Sequence, residues 1–164
     1  MEKQPLVIAV SGIKNSGKTT LIEKLIASLR QCGKEVAVIK HDGHTFSPDT
    51  PGTDSFRFWE RGAAATAVFD AEKCAVTCRK PVEPEDLIAA FSPLADVILL
   101  EGFKYSAYPK IELVRAAVSS APVCDGATVL AYVSDLPLQT DKPIFSFDQT
   151  EALTEFLLHL PRNP

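Results

Sequence analysis

Residues 12–19 read GIKNSGKT and fit the phosphate-binding pattern G-x-x-x-x-G-K-[ST] at every constrained position. Gly12 and Gly17 let the backbone turn tightly and point successive N–H groups inward at a β-phosphate. Lys18 is spaced to reach the β- and γ-phosphates, and the Thr19 hydroxyl to sit on Mg²⁺. The context fits as well: an apolar run, LVIAV at 6–10, feeds into the loop and a helical pattern leaves it. The helix would then aim its positive N-terminal end at the same anion. The alternative is a plain glycine turn between a strand and a helix. The full pattern reads as a nucleoside triphosphate site.

Ligands of open α/β sheets bind beyond the carboxyl ends of the strands, and other acidic residues fall at or near such ends. Glu101 closes the apolar run at 97–100 and precedes Gly102. It resembles a Walker B carboxylate, which holds Mg²⁺ directly or through water, or polarises the attacking water. The competing reading is a solvated strand-end glutamate. Asp54 is a candidate second contact to magnesium or water, or else a helix N-cap. Asp42 is a weaker candidate of the same kind, and His41 and His44 either touch ligand or are simply exposed. Asp135 follows an apolar strand in the tripeptide Val-Ser-Asp. Guanine presents N1–H and N2–H₂ as adjacent donors that one carboxylate accepts together, whereas adenine has no such pair. Ser134 and Asp135 are therefore a candidate base-reading pair, although no N-K-x-D motif is present and a turn before Pro137 is the alternative.

The elements that must position these residues alternate. Leu21, Ile22, Leu25, Ile26 and Leu29 form one stripe at helical spacing, which predicts a helix over 19–31 ended by Cys32-Gly33. Residues 36–39 are continuously apolar, as suits a parallel strand covered on both faces. Residues 41–53 are polar, with Gly43, Pro48, Pro51 and Gly52, and read as a functional loop. A helix over 54–62 places Phe56 and Trp59 on one face. Strands at 64–69 and 74–78, joined by 70–73, form a hairpin inserted at 63–80. A helix from Glu83 to Phe91 follows, then the strand ending at Glu101. Residues 110–114 alternate and fit an outer strand, while 129–133 is again continuously apolar. Residues 144–147 and a helix over 149–160 close the chain. This order predicts a three-layer P-loop NTPase-like fold: an α/β domain with a mostly parallel sheet, helices on both faces and an inserted β-hairpin.

At 164 residues the chain suits one phosphate-loop domain over 1–164. Its net charge of −4, with scattered basic residues, argues against nucleic-acid binding, which needs a concentrated cationic face. No stretch approaches the roughly 20 apolar residues of a membrane span, and the first apolar run leads into the phosphate loop rather than forming a signal peptide. The expected location is the cytoplasm. Cys32, Cys74, Cys78 and Cys124 lack the paired knuckles of a zinc site and are expected as buried, reduced thiols.

The combination GIKNSGKTT, IKHDGH, DTPGTDSFRFWERGA and DVILLEGFKYSAYPKIELVR, across roughly residues 6–135, resembles the molybdopterin-guanine dinucleotide biosynthesis protein B (MobB) family. The family stretch matching His41-Asp-Gly-His44 is usually richer in histidine. The resemblance implies a GTP-binding homodimer with weak intrinsic hydrolysis, serving as adaptor for the guanylyltransferase that attaches GMP to molybdenum-bound molybdopterin. Molybdopterin itself is a further candidate partner. It also implies that Gly12, Asn15, Ser16, Gly17, Lys18, Thr19 and Thr20 bind phosphate and Mg²⁺. Glu101 takes the acidic magnesium-side role, Asp135 reads guanine, and the added hairpin region serves dimerisation.

A small-metabolite kinase using the same loop is the competing hypothesis. Kinases of this size carry an arginine-rich lid over the phosphates, and only Arg57 and Arg61 fall close enough together to build one. A metal-delivery GTPase is disfavoured by the lack of a histidine-rich or paired-cysteine tract.

Overall fold

The structure is a computed structural model that describes residues 4–41, 47 and 49–161. The chain divides into two compact units, residues 1–41 with 84–164, and residues 42–83.

The larger unit is built on a six-stranded sheet. Its strands are β1 (Leu6–Gly12), β2 (Val36–Lys40), β5 (Val97–Glu101), β6 (Lys110–Val114), β7 (Val129–Ser134) and β8 (Ile144–Phe145). The smaller unit contributes β3 (Ala65–Phe69) and β4 (Cys74–Cys78). The sheet order is β2-β5-β1-β6-β7-β8, and every pairing is parallel. Most residues of β1 and β5 are apolar because these strands are covered on both sides. Leu6, Ile8 and Val10 of β1 pack with Leu21, Ile22, Leu25 and Leu29 of α1 (Lys18–Gln31) and with Leu153 and Leu157 of α4 (Thr150–Leu158). Val7 and Ala9 face the other way, into a cluster completed by Leu87, Ile88 and Phe91 of α3 (Pro84–Phe91). Fully burying one such leucine contributes about 1.5–3 kcal/mol. The result is the expected three-layer, P-loop NTPase-like α/β architecture. Among the described residues no helix is long and apolar enough to cross a membrane.

β2 is a parallel edge strand covered on both faces as expected, Val36 and Val38 packing into the cluster with α1 and Ala37 and Ile39 into the cluster with α3, although Val36, Ala37 and Val38 are only half-buried. One strand sits elsewhere than its sequence predicts. β6, expected as an outer strand, lies between β1 and β7 with all five residues buried. Its alternating charges mislead because backbone groups hold Lys110 Nζ and one oxygen of Glu112 inside. Lys110 Nζ donates to the carbonyls of Ser106 (2.7 Å), Phe103 (3.2 Å) and Lys104 (3.3 Å). Glu112 Oε1 accepts from the N–H groups of Val123 and Cys124.

In the smaller unit, α2 (Asp54–Glu60) is capped by Thr53, whose hydroxyl accepts from Phe56 N. β3 and β4 form an antiparallel hairpin closed by Asp70, whose carboxylate accepts from Glu72 N and Lys73 N. Arg79 ties helix to hairpin: its guanidinium lies 3.9 Å from the Trp59 ring centroid and donates to Ala63 and Trp59 carbonyls.

The cysteines are not buried as expected. Cys32, Cys74 and Cys78 are exposed, and all four, including half-buried Cys124, are free thiols. Cys32 caps α1 beyond its apolar stripe, and the two on β4 lie on a hairpin whose residues are mostly exposed. Burial and the Glu112 carboxylate push the Cys124 thiol up to about 12, so it is protonated and poorly nucleophilic at neutral pH.

Candidate nucleotide site

The phosphate loop leaves the carboxyl end of β1 and enters α1, as the motif requires. Gly12 has φ 142°, and a Cβ there would sit 2.7 Å from the Leu113 carbonyl oxygen and 2.8 Å from Ser16 Oγ. Gly17 has φ 99° and caps α1 with no side-chain cap of its own, so the first helical N–H groups are left for a ligand. Asn15 adopts a left-handed conformation with φ 64°. Ser16 is fully buried, and its hydroxyl has no hydrogen-bond partner among the described residues. An orphaned buried hydroxyl within the loop is what a phosphate cradle leaves before its anion arrives.

Lys18 crosses this cradle. Its ammonium donates to the carbonyls of Ile13 (2.8 Å) and Gly12 (3.3 Å). Burial holds its pKa below the usual lysine value; Glu101 opposes that shift, and Lys104 and Lys40 reinforce it. Glu101 faces Lys18 from the end of β5, because the parallel register aligns Val10 with Glu101 and Lys40 with Glu101. Thr19 Oγ1 donates to Glu101 Oε1 at 3.3 Å, and Lys40 Nζ lies 3.8 Å from the same oxygen. The carboxylate is thus set at the mouth of the loop by strand pairing, not by a long flexible connection. Ser11 Oγ donates to the Gly102 carbonyl, and Gly102 N donates to the Val10 carbonyl at 3.0 Å, which fixes the turn beyond Glu101.

Gly17, Lys18, Thr19 and Glu101 line one open pocket with Lys14, Asn15, Thr20, Lys40 and Arg115. Four cations and a single carboxylate make it a site for a polyanion. Thr19 and Glu101 supply hard oxygen donors at the position where Mg²⁺ is held with substrate phosphates, so the residues present fit the metal.

Lys40 and Arg115 were not singled out from the sequence. The signal was available, since both stand at or just beyond the carboxyl end of a parallel strand, as Glu101 does. Asp135 stands at the end of β7, exposed, and its Oδ1 accepts from Ala116 N at 2.7 Å. The Ser134 hydroxyl is taken up in its own turn, accepting from Leu136 N and donating to the Leu136 carbonyl. Neither residue lines the phosphate pocket. Asp54 belongs to the smaller unit, where it opens α2 beside the Thr53 cap and lies 3.5 Å from Arg57. Arg57 of that helix and Arg61 just beyond it, the pair a kinase lid would use, lie in the same unit. His41 tilts its ring against Phe103. Asp42 and His44 lie outside the described residues.

Comparison with known proteins converges with this geometry. The family model described as molybdopterin guanine dinucleotide synthesis protein B matches residues 7–135. The chain is 33% identical over 160 residues to the molybdopterin-guanine dinucleotide biosynthesis adapter protein of Haemophilus influenzae, covering 96% of this chain and 90% of that protein. It is 35% identical over 160 residues to the Escherichia coli protein of the same name, covering 93% and 91%. The crystal structure of Bacillus subtilis MobB superposes with a TM-score of 0.78 at 30% identity, covering 96% of this chain and 99% of that one. Phosphate loop, strand-end glutamate, fold and relatives agree, and the chain belongs to the molybdopterin guanine dinucleotide synthesis protein B (MobB) family.

Proposed function

We propose that this protein is a GTP-binding adapter for the guanylyltransferase step that forms the guanine dinucleotide of the molybdenum cofactor. The observation that carries the nucleotide part is the cationic pocket around Lys18, with its unpartnered Ser16 hydroxyl and its Thr19–Glu101 pair. The adapter part rests on the names of the two relatives that match nearly the whole chain. Loop N–H groups and Lys18 hold the β- and γ-phosphates, while Thr19 and Glu101 hold Mg²⁺, which neutralises phosphate charge when bound. Hydrolysis is weak, because chemistry of this kind needs a positioned water and a finger arginine worth about 10³–10⁵ in rate.

Base choice tests the guanine assignment. With one oxygen on Ala116 N, the Asp135 carboxylate keeps a second oxygen for a base donor. Asp135→Asn replaces an acceptor-only group by one that also donates, so affinity moves from GTP toward XTP, whose base carries a carbonyl where guanine carries an amino group. Titration of wild type and variant with GTP, ATP and XTP measures it. A GTP-to-XTP ratio that does not move assigns Asp135 to its turn alone. Phosphate release in the same samples is expected to stay below about one per minute, as for unassisted members of this chemistry.

The hairpin supports self-association. Val68 is 54% exposed, Phe69 80% and Val76 65%, and both strands of the two-stranded sheet have a free edge within the described residues. Exposed apolar edges invite a further chain, and a two-fold homodimer satisfies both copies at once. Light scattering at tens of micromolar should report a dimer; a monomer there contradicts this role of the hairpin.

A further inference from the structure

Arg115 is the one residue of the phosphate pocket that comes from β6's side of the loop, and it is held there by unusual means. It follows directly on β6, which flanks β1 on the side away from β5. Its guanidinium approaches the loop at Gly17, where a Cβ would be 3.0 Å from Nη2 and 3.5 Å from Cζ; glycine at 17 is required by its φ of 99° and also gives the guanidinium room. The guanidinium carbon sits 4.1 Å from the centroid of the Phe147 ring. That ring follows β8, so two sheet-derived segments clamp the cation. Its Nε is buried with no hydrogen-bond partner, and no carboxylate pairs with it among the described residues. Burying that nitrogen without a hydrogen-bond partner is costly. A ring that orients the cation but leaves its charge uncompensated is suited to an anion that arrives from outside.

The position within the pocket says which part of a nucleotide that anion is. Glu101, Thr19 and Lys40 mark the metal and terminal-phosphate side, on the β5–β2 half of the sheet. Arg115 is on the opposite half, beside Gly17 at the start of α1. We propose that Arg115, oriented by Phe147, is a fixed cation that binds the phosphates common to nucleoside di- and triphosphates, and is not a finger on the γ-phosphate. The proposal rests on the nucleotide reading above and adds a binding residue to it. Arginine suits the task because its planar fork gives two parallel donors to phosphate and stacks on an aromatic face, which lysine does not reproduce.

The test is calorimetric titration of the full chain with GTP and with GDP, each with Mg²⁺, for wild type, Arg115→Met, Arg115→Lys and Phe147→Leu. Arg115→Met should weaken GTP and GDP by the same factor, roughly 10- to 100-fold, the loss of one charge-assisted contact. Arg115→Lys should recover part of that loss, and Phe147→Leu should show a smaller loss of the same kind for both nucleotides. A folded Arg115→Met that binds both as tightly as wild type overturns the proposal. So does a loss confined to GTP, which would place the guanidinium at the γ-phosphate. If Arg115→Met fails to fold, Arg115→Lys and Phe147→Leu decide by the same comparison of GTP with GDP. Wild type that binds neither nucleotide refutes the nucleotide reading itself, a result distinct from a wild type that binds both and ignores Arg115.

Discussion

Lys18→Ala is expected to erase nearly all of the thermal stabilisation that GTP and Mg²⁺ confer. A ligand at one hundred times its Kd stabilises the folded state by about 2.7 kcal/mol, which for a chain of this length raises Tm by roughly 5–10 °C. In the free protein the Lys18 ammonium bridges the loop carbonyls of Gly12 and Ile13. It is partly desolvated, with its pKa held down by burial, so it is poised to exchange carbonyls for phosphate oxygens. Each charge-assisted contact contributes about 1.5–3 kcal/mol. Losing contacts to two phosphates should weaken binding by a factor of about a hundred or more, leaving a shift of about 1–2 °C or less at the same concentration. Differential scanning fluorimetry of both proteins, with and without GTP, measures it. Equal shifts would mean that the triphosphate is bound elsewhere.

The second large effect concerns stability. Lys110 is completely buried in the middle of the sheet, and its ammonium holds three carbonyls of the segment after Glu101, those of Phe103, Lys104 and Ser106. Lys110→Met keeps the length and apolar stem but leaves those carbonyls without their donor. Leaving a buried acceptor without its donor costs about 1–3 kcal/mol, so three such carbonyls together should cost several kcal/mol, whereas a volume-conserving swap in an ordinary core costs less than about 1.5 kcal/mol. Urea unfolding separates the two: the midpoint should fall with little change in slope. A loss below about 1.5 kcal/mol would show that Lys110 is not the anchor of that turn. Because the turn begins at Glu101-Gly102, the same substitution should also loosen the Glu101 carboxylate.

These two lysines show what was legible in the sequence and what was not. Lys18 belongs to a contiguous motif, so the loop, the strand before it and the helix after it could be read locally. Glu101 was legible because a long apolar run delivers it to a strand end, and the structure sets it 3.3 Å from Thr19. Lys110 and Glu112 misled, since their alternation with apolar residues looks like an outer strand. Their burial depends on carbonyls and N–H groups from turns at 103–106 and 123–124, and no local pattern announces such partners. Residues 36–39 read correctly as a parallel strand covered on both faces, although an apolar run does not tell a central strand from the edge that β2 occupies. Arg115 was passed over because its meaning comes from β6 lying beside β1, which brings it onto Gly17 across nearly a hundred residues.

The central proposal, a GTP-binding adapter for the guanylyltransferase whose nucleotide occupancy we propose organises the surface it presents, is tested most directly by binding to the guanylyltransferase itself. The purified transferase is immobilised, and this protein is passed over it without nucleotide, with GTP and Mg²⁺, and with ATP and Mg²⁺; Lys18→Ala is run in parallel. The account predicts capture that is strongest with GTP and Mg²⁺, weaker with ATP, and insensitive to nucleotide in Lys18→Ala. No binding to the transferase in any condition, or binding by wild type that is the same with and without GTP, would contradict it.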